Sequence, residues 1–172
     1  MTVRPTPLQE RLREIFERRD RDNMQPTIDA FLAVLDENPA DPAVLYEVGG
    51  SYDTAGQEQL AAGYYERALA AGLDGDTVRR CLIQYGSTLR NLDRMDDSLR
   101  VFRQARERFP DSAAVRVFEA LTLHASGRTD LSMARMLELV ADHLRTPEIL
   151  RYEAAIRGNA EFLAGPPAHH RE

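Results

Sequence analysis

Cys81 and His124 are the side chains in this sequence that could serve as a thiol nucleophile and its base. They lie far apart along the chain, and no catalytic motif surrounds either of them. The sequence also has no glycine-rich phosphate loop, no HExxH motif and no serine elbow. We therefore expect Cys81 to be a small packing residue and His124 to lie at a groove or its boundary. No catalytic residue is predicted, and an enzyme or small-ligand sensor is kept only as a remote alternative.

Metal and cofactor sites are not expected either. A single cysteine excludes a multi-cysteine zinc site and an internal disulfide framework. His169 and His170 stand near the chain end without the paired ligand spacing of a metal site. Between Glu10 and Asp22 the charges alternate in sign, which is typical of a solvated helix face.

Charge and hydropathy exclude two classes of partner. The 172 residues include 28 acidic and 22 basic side chains, for a net charge of −6, which disfavours a nucleic-acid partner. The longest run without Asp, Glu, Lys or Arg is nine residues, 81–89, too short to cross a membrane. The first residues carry no apolar signal segment, so we expect a cytoplasmic location.

Apolar residues recur every three to four positions along most of the chain, which predicts helices joined by short turns. Pro42 and Pro147 follow an aspartate and a threonine, the arrangement of a capped helix start. The pattern predicts nine helices: 8–20, 26–37, 42–54, 57–71, 77–91, 95–108, 112–125, 130–143 and 147–163.

The sequence repeats itself with a period near 34 residues. Two sets of residues repeat with the same two steps, 37 and then 34 residues. The small residues expected within helices are Gly49, Gly86 and Ala120. The residues expected in turns are Gly56, Asp93 and Gly127. A period of this length made of two helices indicates a stacked array of helical hairpins.

These residues resemble the tetratricopeptide repeat, a 34-residue unit with preferred residues at eight positions. Repeat two carries Leu82, Tyr85, Gly86, Leu89, Ser98, Phe102, Ala105 and Pro110, and repeat one carries Leu45, Val48, Gly49, Tyr52, Ala61, Tyr65, Ala68 and Leu73. In repeat three, Arg116 and Glu119 stand where apolar residues are expected. The phrases LYEVGGSYDTAG and QYGSTLRNLDR are similar to those of small bacterial tetratricopeptide proteins of unassigned function.

The resemblance implies an all-α fold: a right-handed tetratricopeptide (TPR) superhelix of about three and a half hairpins and a C-terminal capping helix. One domain is expected over residues 1–164, with repeats at about 8–41, 42–78, 79–112 and 113–146 and the cap at 147–163. In the cap, Ile149, Tyr152, Ile156 and Leu163 form the apolar stripe that would cover the last repeat. Residues 165–172 are expected to be a flexible tail.

Repeat positions 2, 5, 9 and 12 point away from each hairpin core and line the concave groove of such an array. The predicted groove residues at these positions are Tyr46, Gly50, Asp53, Arg80, Ile83, Ser87, Arg90, Val117, Leu121 and His124, and Gln84 and Asn91 are predicted to flank the middle row. They lack the Lys and Asn pattern of the family's carboxylate-clamp subgroup. We expect the groove to bind an extended or helical segment of another protein, with Tyr46 as anchor and Arg80 and Arg90 facing carboxylates.

Two alternatives remain open from the sequence. Val117 and Leu121 could be covered by the cap, with Arg80 paired to a local acid. The protein could instead be a self-associating homodimeric scaffold, because residues 41–75 hold six acids and one arginine while 76–110 hold eight arginines and five acids. Opposed patches of this kind can align two copies.

Overall fold

The computed structural model describes residues 4–165, and their regular secondary structure is entirely helical. The chain divides into two compact units, one ending at Leu92 and the other beginning at Asp93. The first unit holds α1 (Pro7–Glu17), α2 (Gln25–Glu37), α3 (Pro42–Thr54), α4 (Glu58–Ala70) and α5 (Gly75–Asn91). The second holds α6 (Met95–Arg108), α7 (Ala113–Ala125), α8 (Thr129–His143) and α9 (Pro147–Ala164). The predicted all-α fold is confirmed; of the predicted tail, only Gly165 lies within the described residues.

Side-chain caps fix several of the helix starts. Asp41 accepts hydrogen bonds from the backbone N–H groups of Ala43 and Val44, and Pro42 fills the first position of α3. Thr146 caps α9 in the same way ahead of Pro147. Each cap satisfies N–H groups that have no partner within the helix, so both helices begin where the sequence predicts.

The turns that follow α3, α5 and α7 share one backbone conformation. Gly56, Asp93 and Gly127 have φ values of 72°, 60° and 78°, all in the left-handed region. A left-handed residue after a helix lets the chain reverse into the next helix. The three turn residues that the sequence aligns at steps of 37 and 34 are therefore structurally equivalent.

Close packing of α3 against α4 explains the small residue at repeat position 8. A Cβ atom added to Gly49 would lie 2.9 Å from Cδ1 of Tyr65, whose side chain is fully buried. Contacts that short do not occur between real side chains, so only glycine fits at this helix crossing.

In the second unit, charged residues replace part of the apolar repeat pattern. Glu119 is buried on α7, and its carboxylate pairs with Arg106 of α6 at 3.4 Å. Burial raises the pKa of Glu119, and the positive charge of Arg106 opposes that shift. The ion pair accounts for an acid at a position where the repeat pattern has an apolar residue.

The terminal helix α9 packs along α8. Ala160 is buried there, and Ile149, Ile156 and Leu163 are half-buried. Tyr152 is 55% exposed, so its assignment to the packing stripe is wrong. The packed side of α9 also carries a charged residue, the half-buried Arg157, which donates to Asp142 of α8 at 3.0 Å.

Candidate functional site

Two adjoining cavities open on the surface of the first unit where α1, α3 and α5 approach one another. The larger has a volume of about 590 Å³ and the smaller about 140 Å³. Phe16, Tyr46, Glu47 and Gln84 line both cavities. We call this surface, with its shared lining, the first-unit groove.

Helical spacing places these side chains together. On α3, Tyr46 and Glu47 lie three and four residues after Ala43, and Gly50 lies three residues after Glu47. On α5, Ile83 and Gln84 lie three and four residues after Arg80. Residues at that spacing share one helix face. Two neighbouring helices therefore present parallel rows of side chains, and Phe16, from the last turn of α1, closes one side.

Aromatic rings form much of the apolar surface of the groove. Phe16 is 44% exposed, and the guanidinium of Arg19 lies 3.6 Å from its ring centroid. Tyr46 is half-buried, with its ring centroid 6.2 Å from that of Tyr65 behind it. Burial raises the pKa of Tyr46, so its hydroxyl stays protonated.

Glu47 is the acid of the groove. Within the described part of the chain, its half-buried carboxylate has no hydrogen bond and no ion pair. Burial raises its pKa to about 7, although Arg19 and Arg80 act in the opposite direction. Both arginines are bound elsewhere: Arg19 donates to the carbonyl oxygen of Phe16 at 2.6 Å, and Arg80 donates to Asp76 at 2.8 Å.

Gln84 contributes a second acceptor. Its Oε1 atom is buried and accepts no hydrogen bond from any residue that the structure describes. An acceptor in this condition has lost its water without gaining a donor, which costs free energy. The groove thus contains two acceptors, from α3 and α5, that lack donors.

Five of the predicted groove residues lie at these cavities: Tyr46, Gly50, Arg80, Ile83 and Gln84. Arg80 forms the local ion pair with Asp76 that the sequence left open as an alternative. This pair is largely exposed, and such pairs contribute little to stability, so Arg80 can exchange partners.

Asp53 does not project freely into the groove, as the sequence analysis expected. Its carboxylate accepts hydrogen bonds from Tyr65 Oη at 3.2 Å and Thr88 Oγ1 at 3.1 Å. Burial raises the pKa of Asp53, while these two hydrogen bonds lower it. Asp53 therefore joins α3 to α4 and α5 inside the first unit.

The other predicted residues on α5 also lie outside the lining of the two cavities. Ser87 donates to the carbonyl oxygen of Ile83, and Asn91 donates to Glu58 at the start of α4. Nη1 of Arg90 is buried and, among the described residues, has no hydrogen-bond partner. Asn91 is thus engaged with a neighbouring helix rather than available at the groove.

The remaining predicted residues belong to the second unit. Val117, Leu121 and His124 share one face of α7 at spacings of four and three residues. Leu121 and His124 are exposed, and Val117 is half-buried.

Sequence reasoning missed Phe16 and Glu47. Phe16 lies in the leading hairpin, where the repeat signature is weak. Glu47 occupies position 6 of repeat one, next to the positions chosen as groove-lining. Its spacing from Ala43 and Gly50, four and three residues, was the signal that could have placed it on the same face.

Cys81 is fully buried on α5, and its thiol lies 3.9 Å from the carbonyl oxygen of Tyr65. Burial raises its pKa to about 12, which is opposite to the requirement for a nucleophile. The described residues contain no cluster of His, Cys, Asp or Glu suited to a metal ion. Over the same residues, no helix combines the length and apolar character needed to span a bilayer.

Comparisons with known proteins support one assignment. A family model described as "Tetratrico peptide repeat" matches residues 42–163. The solved structure of YrrB, described as a TPR protein with an unusual peptide-binding site, is similar at 16% identity and a TM-score of 0.60. That match covers 88% of this chain and 77% of the other, and at this identity it shows the fold alone. None of the curated proteins matches. The chain therefore belongs to the tetratricopeptide repeat family, whose members are generally non-catalytic scaffolds for protein–protein interaction.

Proposed function

We propose that this protein is an interaction module that binds a segment of a partner protein in the first-unit groove. The observation that carries the proposal is the coincidence of exposed aromatic surface and donor-free acceptors in one cleft. A cleft of about 590 Å³ falls within the range of small ligand sites and can take a few side chains of a peptide. We expect the interaction to take place in the cytoplasm, the compartment that the sequence favours.

Aromatic residues are the expected energetic centre of such a contact. Phe16 and Tyr46 offer a large apolar area with few rotatable bonds, and side chains of this type dominate measured binding energies. Arg80 adds a cation at the edge of the groove that can re-pair with a carboxylate of the partner. The roles predicted for Arg90, Val117, Leu121 and His124 stay predictions on surfaces beyond the two cavities.

The test is selection of random peptides on the full-length protein, followed by affinity measurements on the selected peptides. Phe16→Ala should weaken binding by roughly 5- to 30-fold, equivalent to about 1 to 2 kcal/mol. Phe162→Ala is the matched control, because Phe162 is 83% exposed on α9 in the other unit. Tyr46→Ala, with exposed Tyr152→Ala as its control, repeats the comparison.

Two results would contradict the proposal. One is the failure of repeated selections to yield any peptide that binds the wild-type protein. The other is a set of peptides that bind the folded Phe16→Ala and Tyr46→Ala variants as tightly as the wild type. Thermal melting of each variant separates loss of binding from loss of fold.

Self-association is a second candidate, favoured by the apolar side chains exposed on α9. Phe162 and Tyr152 lie on this helix with most of their surface in water. Exposed aromatic residues in one helix often mark a contact with another chain. Light scattering over a concentration series tests this candidate.

A further inference from the structure

The first-unit groove has acceptors where a bound segment would need to supply donors. The carboxylate of Glu47 on α3 and the buried Oε1 of Gln84 on α5 both line its two cavities, and neither accepts a hydrogen bond within residues 4–165. We infer that the groove takes a basic side chain, arginine or lysine, of the partner segment between Glu47 and Gln84. This inference rests on the proposed function.

The chemistry of the two acceptors favours a cation over other occupants. An ionised carboxylate accepts hydrogen bonds only, and a guanidinium or ammonium group brings several donors together with the opposite charge. A carboxylate of the partner at the same place would meet Glu47 directly and be repelled. A purely apolar side chain would exclude water from both acceptors without giving either of them a hydrogen-bond donor.

Among residues 4–165, the two arginines that act on Glu47 do not fill this role. Arg19 is bound to the carbonyl oxygen of Phe16 and stacked on its ring, and Arg80 is bound to Asp76. Neither arginine forms a hydrogen bond or an ion pair with Glu47 in this arrangement. The carboxylate of Glu47 is therefore available to a cation from outside the chain.

Arginines in the cavity lining surround Glu47 and Gln84, and their charges constrain the rest of the partner segment. The arginines that line one cavity or the other are Arg13, Arg19, Arg21 and Arg80. A basic residue flanked by acidic residues would place its cation on Glu47 and its carboxylates near these arginines. Complementary charges of this kind set the orientation of a bound segment.

The pH dependence of binding provides a separate signature. Because the pKa of Glu47 is raised to about 7, its anionic form grows as the pH rises through neutrality. The charges that act on Glu47 are Arg19, from the turn after α1, and Arg80, from α5. Arg13 and Arg21 line the same cavities, Tyr46 precedes Glu47 on α3, and Asp76 is the ion-pair partner of Arg80. Arginine is protonated throughout this range, burial raises the pKa of Tyr46, and Arg79 and Arg80 lower that of Asp76. Binding of a basic peptide should therefore strengthen from about pH 5.5 to pH 8.5.

The experiment is a double-mutant cycle on a peptide selected with the full-length protein. The probe is the tightest-binding peptide of the selection and its analogue with citrulline, the neutral isostere of arginine, at the basic position. On the wild type, citrulline should weaken binding by about tenfold, as expected for a charge-assisted hydrogen bond. On Glu47→Gln the two peptides should bind alike, and the pH dependence should disappear.

Control variants keep the test specific. Glu66→Gln changes an exposed acid of α4 in the same unit and should leave the tenfold difference intact. Gln84→Leu removes the second acceptor and should reduce the difference if the cation lies between the two helices. Glu47→Gln is isosteric, and its melting temperature reports whether the fold is retained.

The outcomes separate this inference from the proposed function. Selected peptides without a basic residue, or an unchanged citrulline effect in Glu47→Gln, would overturn the inference while Phe16→Ala still weakens binding. If Phe16→Ala and Tyr46→Ala had no effect, the groove itself would be the wrong surface and both proposals would fall.

Discussion

The ionised form of the Glu47 carboxylate is unfavourable in the free protein. Burial without a partner disfavours the ionised carboxylate, so its pKa rises to about 7. Residues that bind a partner often reduce the stability of the free protein, because the site is complementary to something absent. The stability of the free protein can therefore report on a residue proposed for binding.

Glu47→Gln should stabilise the protein at neutral to alkaline pH. The folded-state pKa lies above the unfolded value, so the wild type loses stability as the pH rises from about 4.5 to about 7. The variant has no such loss and should gain roughly 1 to 3 kcal/mol in unfolding free energy near pH 8. Denaturant unfolding at several pH values measures this. Equal gains near pH 4 and pH 8 would show that ionisation of Glu47 is not the cause.

Gly49→Ala should destabilise the protein by about 1 to 3 kcal/mol, because the new methyl group would overlap the buried ring of Tyr65. Gly63→Ala is the matched control: it changes a helical glycine of the same unit with open space around it. The control should stabilise by about 0.5 to 1 kcal/mol. Thermal unfolding of both variants decides the matter, and a tolerated Gly49→Ala would mean that the α3–α4 crossing is looser than described.

These residues show where single-sequence reasoning succeeds and where it stops. Gly49 was predictable, because a small residue at a fixed position of each repeat indicates a close helix approach. Asp53 and Glu47 were not, since two acids six residues apart on one helix look equivalent in sequence. Only packing shows that Tyr65 and Thr88 satisfy one of them and that nothing in the described chain satisfies the other.

The turns after α3, α5 and α7 each require a residue with left-handed backbone conformation, and in one of them that residue is not glycine. Asp93 adopts a φ of 60° where the equivalent residues, Gly56 and Gly127, are glycine. Left-handed backbone costs a non-glycine residue roughly 1 kcal/mol. Asp93→Gly should therefore stabilise by about 0.5 to 1 kcal/mol, and Gly56→Asp should destabilise by a similar amount. Chemical denaturation tests the pair, and shifts of the same sign would refute the conformational account.

The α7, α8 and α9 helices are joined by charges as well as by apolar contacts. Asp142 of α8 accepts hydrogen bonds from Arg116 of α7 at 2.6 Å and from Arg157 of α9 at 3.0 Å. These bonds hold the pKa of Asp142 below its ordinary value, so their contribution is present above that value and is lost as the pH falls through the folded pKa. A carboxylate shared between two arginines contributes more to stability than an isolated surface ion pair does.

Asp142→Asn should loosen α9, because it leaves Arg116 and Arg157 without their shared anion. Hydrogen exchange of the α9 amides should become faster at neutral pH, with less change near pH 3. Asp130→Asn, at the exposed start of α8, is the control and should leave exchange in α9 unchanged. Unaltered exchange in Asp142→Asn would show that the shared carboxylate of Asp142 does not hold α9 in place.

Helix boundaries were predicted to within a few residues because capping residues, prolines and turn glycines mark them locally. The side of α9 that packs was predicted less well. Apolar periodicity predicted that Tyr152 packs against α8, but Tyr152 is exposed. The packed face includes Arg157 instead, because Asp142 of α8 accepts its hydrogen bond. Such exchanges of apolar for paired charged residues depend on the neighbouring helix, which the pattern of a single helix does not contain.

Charge along the chain does not predict charge at the groove. Residues 41–75 are strongly acidic in sequence, yet the cavities that α3 borders are rimmed by arginines. Most of those arginines come from α1 and the turn after it, segments with the weakest repeat signature. Stacking of successive hairpins thus gathers charge from sequence regions with different composition, and the partner chemistry follows from the assembled surface.

The self-association candidate makes a prediction for the mass of the protein in solution. If a second copy covers α9, the mass measured by light scattering should rise from 19.4 kDa toward twice that value with increasing concentration. Phe162→Asp should abolish the rise, because a charge would then have to enter an apolar contact. Phe16→Asp, a matched change at the groove, should leave the rise unchanged. A mass of 19.4 kDa at all concentrations would remove this candidate and leave α9 as a cap of the last repeat.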